Sequence, residues 1–186
     1  MKYEVLVEDS FYHVYNCGNN KGNIFIEEQN YSYFLKLTKN HLSKTSNILA
    51  YCLLKNHFHF LIKTKENITS KEISQSFSNL FNSYSKSINK KYGRSGSLFK
   101  DRFSRIKLDN EEYLKNLILY IHLNPIHHQF VDDFRVYKHS SYNSILSNKP
   151  TDLLREDVIN LFEERKNFID AHQIKEVNIL EILTLE

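Results

Sequence analysis

The sequence predicts an α+β protein, an antiparallel sheet built in the order strand, helix, strand, strand, helix, strand with the helices on one face. Three observations predict it. Apolar and polar residues alternate with period 2 over FYHVYNC (11–17) and HFHFLIKT (57–64). Apolar residues recur at three- and four-residue steps over two intervening stretches. The only tight apolar pair, 48–54 and 57–64, is joined by a two-residue Lys-Asn turn, which makes a hairpin.

Taken in order, FYHVYNC is aromatic-rich and reads as the first strand. GNNKGN (18–23) is a turn-rich loop whose two glycines are expected to supply positive φ. From Glu27 to about Ser43, Tyr31, Phe34, Leu35, Thr38 and Leu42 mark a helix. ILAYCLL and HFHFLIKT follow as the hairpin. From about Thr69 to Lys91, Ile73, Phe77, Leu80, Phe81, Tyr84 and Ile88 mark a second amphipathic helix. After YGRSGS, the segment LFKDRFSRIKL (98–108) reads as a strand or extended ribbon. This is the βαββαβ of a ferredoxin-like sheet. Asn110 is placed to cap a third helix with Glu111 and Glu112 in its first turn, ending at Pro125. The tail from about Ser140 reads as two short helices, with Asp152 near the start of the second. We divide the chain into residues 1–146 and an acidic helical extension, 147–186, packed at the side of the sheet.

The 186 residues suit a single domain with a sizeable core, and two Pro and four Gly exclude a collagenous or linker-like chain. No apolar run approaches the roughly 18–20 residues of a membrane span. Glu4, Glu8 and Asp9 interrupt the stretch a signal peptide would need, and Cys17 and Cys52 make no disulfide framework. The expected compartment is the cytoplasm, with no membrane partner. Net charge is only +3, but it is segregated: Lys36–Lys107 holds 15 Lys and Arg against three acids, +12, which leaves −9 elsewhere. That is the footprint of a polyanion-binding middle, or of a solvated Lys-rich surface.

Three constellations carry chemistry. In His57-Phe58-His59 the period of a strand sends both imidazoles to one face, with Cβ atoms about 7 Å apart, while Phe58, Phe60 and Ile62 face the core. Two such rings can converge on a divalent ion or be half-exposed strand histidines without a ligand. Tyr120 and Asn124 lie one turn apart on one face of the third helix. A phenol becomes a nucleophile when its target is polarised, and an amide oxygen can be a third ligand to a hard cation. Equally, the pair can be a surface tyrosine and an asparagine that ends the helix. Lys86, Lys90, Lys91, Arg94, Lys100, Arg102, Arg105 and Lys107 interleave with Tyr84, Tyr92, Phe99 and Phe103. Cations alternating with aromatic faces suit single-stranded or hairpin nucleic acid, unless Phe99 and Phe103 belong to the core.

The ordered set of a His-hydrophobic-His strand, a basic LFKDRF segment and a YIHLNP helix resembles the single-tyrosine HUH transposases of the insertion-sequence (IS200-like) superfamily. Within it, the chain resembles the REP-associated tyrosine transposase branch, whose N-terminal pattern FYHVYNCGNNKGNIF also matches. The resemblance covers residues 10 to 145. It implies strand cleavage and rejoining on single-stranded or hairpin DNA, with Tyr120 as nucleophile and a 5′-phosphotyrosine intermediate. It implies Mg²⁺ or Mn²⁺ held by His57, His59 and Asn124, and DNA held by Lys90, Lys91, Arg94, Lys100, Arg102, Arg105 and Lys107. Two departures stand out. Cys17 replaces the Arg usual before the glycine, and NPIHHQFV replaces NPVRAGLV, which adds His127 and His128 near the site. His122 is expected at the side of the helix and His13 to be structural. A homodimer and a monomer are both compatible with the sequence. The alternatives are a catalytically silent nucleic-acid-binding descendant, an HUH nickase of the replication-initiator type, and a small-molecule metalloenzyme.

Overall fold

A computed structural model describes residues 4–174. Four strands, β1 (Phe11–Cys17), β2 (Ser46–Leu54), β3 (His57–Thr64) and β4 (Ser104–Leu108), form one antiparallel sheet in the order β2-β3-β1-β4. This is the ferredoxin-like order the sequence predicts. Helices α1 (Glu28–Leu42) and α2 (Ser70–Lys91) cover one face. Their apolar stripes meet Tyr12, Val14, Phe58, Phe60 and Ile62 from the sheet in a core that includes Phe34, Phe77, Leu80 and Tyr84. Helix α2 starts where its sequence asks: Thr69 and Glu72 close a capping box.

Helix α3 (Glu111–His127) lies on the other face, capped by Asn110, whose side chain accepts a bond from the Glu112 N–H. Residues Leu117 to Pro125 are all buried, which requires cover on every side of the helix. The sheet supplies one wall through Leu49, Ala50, Cys52 and Leu61, and the tail supplies the other through Ile145, Val158, Phe162 and Phe168. The tail forms three helices rather than the two expected: α4 (Tyr142–Leu146), α5 (Arg155–Leu161) and α6 (Arg165–Ile174). Bridges Cys52–Ser140 and Ile48–Leu153 lay it along the outer edge of β2. The end of the predicted extension, residues 175–186, lies outside the described residues. Among the described residues no helix is long and apolar enough to cross a membrane.

Three local expectations need correcting. Gly18 and Gly22 have φ of −64° and −67°, and the positive φ falls on Asn20 and Lys21. Gly18 is there for space: a Cβ on it would sit 1.8 Å from the Gly22 carbonyl oxygen. The close approach lets the Gly18 N–H donate to the Asn56 carbonyl at 2.8 Å, which ties this loop to the turn ahead of His57. Pro125 does not end α3. It removes one backbone bond in the last turn, where its ring is buried, and the His128 N–H still donates to the Asn124 carbonyl at 3.1 Å. Finally, only Ser104–Leu108 of the basic ribbon pairs as a strand.

His122 is fully buried rather than at the side of the helix, and it joins α3 to the tail. Its Nδ1–H donates to His172 Nε2 at 2.8 Å, and the His172 Nδ1–H donates to the Phe168 carbonyl at 2.7 Å. His122 Nε2 accepts from the Ser141 hydroxyl at 2.7 Å. The chain of bonds closes with both rings neutral. Burial lowers His172 to about 4, so the unfolded chain takes up its proton first as the pH falls. Stability is therefore whole above pH ~6.5 and declines towards about 4, at up to ~1.4 kcal/mol per pH unit for this one group. Urea titrations from pH 7 to 5 are expected to show that decline, and His172→Phe is expected to flatten it by about one proton.

A candidate nucleic-acid cleavage site

The face of the sheet beneath α3 is built by alternation. His57 and His59 point to it from β3, and His13 and Tyr15 point to it from β1, where Tyr15 stands opposite His59. The His57 and His59 rings are 5.2 Å apart and edge-on. Tyr120, from α3, lies edge-on to His59 at 5.4 Å between ring centroids, within one chain. Asn124, one turn on, brings its Oδ1 to 3.2 Å from His57 Nε2. The structure thus brings together the four residues singled out from the sequence. Tyr120 is only 1% exposed, so its hydroxyl reaches a macromolecule only if α3 or its cover moves.

The residues fit a divalent cation. His57 turns Nδ1 to Asn56 Oδ1 at 2.7 Å and Nε2 to Asn124 Oδ1 at 3.2 Å, so both ring nitrogens face amide oxygens. With Nε2 unprotonated, that nitrogen and Asn124 Oδ1 would be neighbouring ligands of one ion. Among the described residues Asn124 Nδ2 is buried with no partner, and the amide's contact to His57 is through its oxygen. Among the described residues, no group of three or more His, Cys, Asp or Glu side chains is placed to hold a metal. The candidate set here is two imidazoles and one amide.

One feature of the site was not anticipated, and a second, the nearness of His127 and His128, is as expected. His13, expected to be merely structural, sits 2.9 Å from His59 through its Nε2, and burial drives it down to about 3. His59 is also pushed well below its usual range, by burial first and then by neighbouring imidazoles, so both rings are neutral. The extra turn past Pro125 carries the exposed His128 ring to 4.5 Å from His57, and His127 to 6.5 Å from Tyr120. Burial, with His128 beside it, lowers His127.

The basic residues separate into groups. Lys100, Arg102 and Arg105 line a groove of about 450 Å³ with Ser74, Ser78, Asn82 and Ser85 of α2. In the register of β4, Arg105 and Lys107 stand opposite Val14 and Tyr12, so they face away from the histidine pair. Lys107 lies beside Asp9, Asp109 and Glu111. Lys91 pairs with Glu27 at 3.0 Å, Lys90 is exposed in the last turn of α2, and Arg94 is half-buried just beyond it. The aromatic half of the ribbon is not a stacking surface. Tyr84, Phe99 and Phe103 are buried in the core under α2, and the Tyr84 hydroxyl donates to the Ile24 carbonyl at 2.7 Å. Core packing claims these rings because α2 covers that side of the sheet.

A family model described as IS200-like transposase matches residues 6–124. A solved REP-associated tyrosine transposase bound to a REP hairpin is similar over 82% of this chain and 90% of that one, at 15% identity and a TM-score of 0.67. At that identity the likeness is one of fold. A candidate transposase from Deinococcus radiodurans R1 aligns over 69% of this chain and 97% of that one, at 10% identity and a TM-score of 0.44. A bacterial tRNA(His) guanylyltransferase-like protein in complex with GTP aligns over 70% and 73%, at 14% identity and the same TM-score of 0.44. Those two scores are too low to bear on the fold. No curated protein matches.

Proposed function

We propose, from the premise that the chain belongs to the IS200-like transposase family and so cleaves and rejoins DNA, that it acts on single strands at hairpins through a 5′-phosphotyrosine on Tyr120. The observation that carries this reading is the convergence of Tyr120, His57, His59 and Asn124 within one chain. Tyr120 Oη bonds to the scissile phosphorus, the P–O3′ bond breaks, and the departing oxygen takes up a proton as a 3′-hydroxyl. The phosphoester is conserved in the covalent link, so a second 3′-hydroxyl can reverse the step without ATP. His57, His59 and Asn124 are the residues to hold Mg²⁺ or Mn²⁺. When bound, the ion polarises the phosphate and offsets charge in the transition state.

Residues 1–146 carry this chemistry, and the described part of the extension, residues 147–174, braces α3 through Val158, Phe162 and Phe168. Tyr120 meets His57, His59 and Asn124 within one chain, which supports action as a monomer, and the cytoplasm is the compartment of this reading. A REP-like hairpin is the substrate class suggested by the fold's likeness to a protein solved with one. The groove of Lys100, Arg102 and Arg105 is the reading's path for the DNA backbone. Replacing Lys100 and Arg102 with Ala is expected to weaken hairpin binding and reduce the slope of log K against log salt by about 1.4–1.8. Titrations from 50 to 200 mM salt check this.

The reading is tested by incubating a 5′-labelled hairpin oligonucleotide with the protein and Mn²⁺. Cleavage that stops on chelation supports it. Tight binding with no cleavage at any metal concentration would establish the catalytically silent alternative instead.

A further inference from the structure

The geometry points to His13 as a positioning residue that holds His59 in the one tautomer able to bind a cation. The inference rests on the reading of His57, His59 and Asn124 as the cation site, and goes beyond it in adding a partner from another strand. His13 and His59 are each 1% exposed, and their rings meet edge to edge, 23° from coplanar with centroids 5.2 Å apart. The contact joins His13 Nε2 to His59 Nδ1 at 2.9 Å, so it occupies the side of the His59 ring away from Nε2.

A neutral imidazole has one N–H and one lone pair, and the single bond between the rings can be made in two ways. If His13 donates, His59 Nδ1 is the acceptor, and its Nε2 carries a hydrogen and cannot ligate. If His59 donates from Nδ1, its Nε2 keeps the lone pair that a cation needs. Cation binding therefore requires His13 to be the acceptor. A ligand imidazole whose other N–H is held in this way is also fixed in orientation and made more basic.

Tyr15 packs beside both rings, tilted by 32° at 4.7 Å from His13 and more nearly parallel at 5.7 Å from His59, and so limits their rotation. Tyr120 lies edge-on to both, at 6.3 Å from His13 and 5.4 Å from His59. One bond thus fixes the ring against which the proposed nucleophile packs.

Mn²⁺ binding to the protein without DNA, followed by electron paramagnetic resonance, tests the inference. His13→Phe is expected to weaken binding 10- to 100-fold, and His13→Gln, whose amide oxygen can accept from Nδ1–H, to stay within about threefold. Equal affinity in the unsubstituted protein and His13→Phe would overturn the role of His13 and leave the cation site standing. So would a loss in His13→Gln as large as in His13→Phe. No binding by the unsubstituted protein would overturn the cation site, and this inference with it. If His13→Phe fails to fold, ring ¹⁵N spectra of the unsubstituted protein with Mg²⁺ decide the matter: His59 protonated on Nδ1 supports the inference, and on Nε2 refutes it.

Discussion

Tyr120→Phe is expected to yield no covalent protein–DNA adduct while binding a hairpin within a few-fold of the unsubstituted protein. The substitution removes one oxygen and nothing else. The ring of Tyr120 is buried against His59 and His13 in a helix packed on every side, and Phe preserves that packing. The cations proposed to hold DNA lie in the groove beside α2, on the other side of the sheet. On this reading, binding and chemistry are carried by different surfaces. Denaturing gels with labelled DNA read the adduct, and gel shifts read the binding.

The second large effect concerns the cation. His57→Ala is expected to slow cleavage at saturating Mn²⁺ by about 10²- to 10³-fold, the usual scale for losing one group that stabilises charge in a transition state. His57 is half-buried at the start of β3, so its loss leaves little cavity, and hairpin affinity is expected to hold. Its Nε2 faces Asn124 Oδ1, and losing the imidazole leaves the amide without its proposed co-ligand. Single-turnover rates across a Mn²⁺ series separate weaker metal binding, which excess metal restores, from lost chemistry, which it does not. An unchanged rate would remove His57 from the site.

Much of this architecture was legible because local rules agree with the global fold. The alternation of β1 and β3, the Lys55-Asn56 turn and the Thr69/Glu72 capping box each point to what is seen. The face of His57 and His59 follows from period 2 alone. His13 was harder to see, since its importance depends on β1 lying beside β3. The βαββαβ order did contain that signal, because the first strand pairs with the third in such a sheet. Phe99 and Phe103 were left open between DNA and core for a related reason. Rings between cations suit DNA or a core equally, and which one holds depends on how α2 lies over that side of the sheet. The tail was the least legible part. His122 meets His172 across 50 residues, a long-range pairing with no local pattern. Pro125 failed as a stop because a rule about one missing backbone bond gave way to burial of the whole last turn.

These corrections bear on function. Continuing α3 past Pro125 puts His127 and His128 beside Tyr120 and His57, where a helix ending at Asn124 would have left a loop. The tail covers the outer edge of β2 and packs on α3, so the tyrosine helix is held against its own sheet.

The central claim is that Tyr120 becomes bonded to DNA. The most direct measurement is to trap the adduct with a hairpin oligonucleotide and Mn²⁺, digest both components, and locate the nucleotide by tandem mass spectrometry. The account predicts a 5′-phosphonucleotide on Tyr120, in the peptide of α3 that contains YIHLNP. A nucleotide on any other residue, or cleavage that releases a free 5′-phosphate with no protein attached, would contradict it.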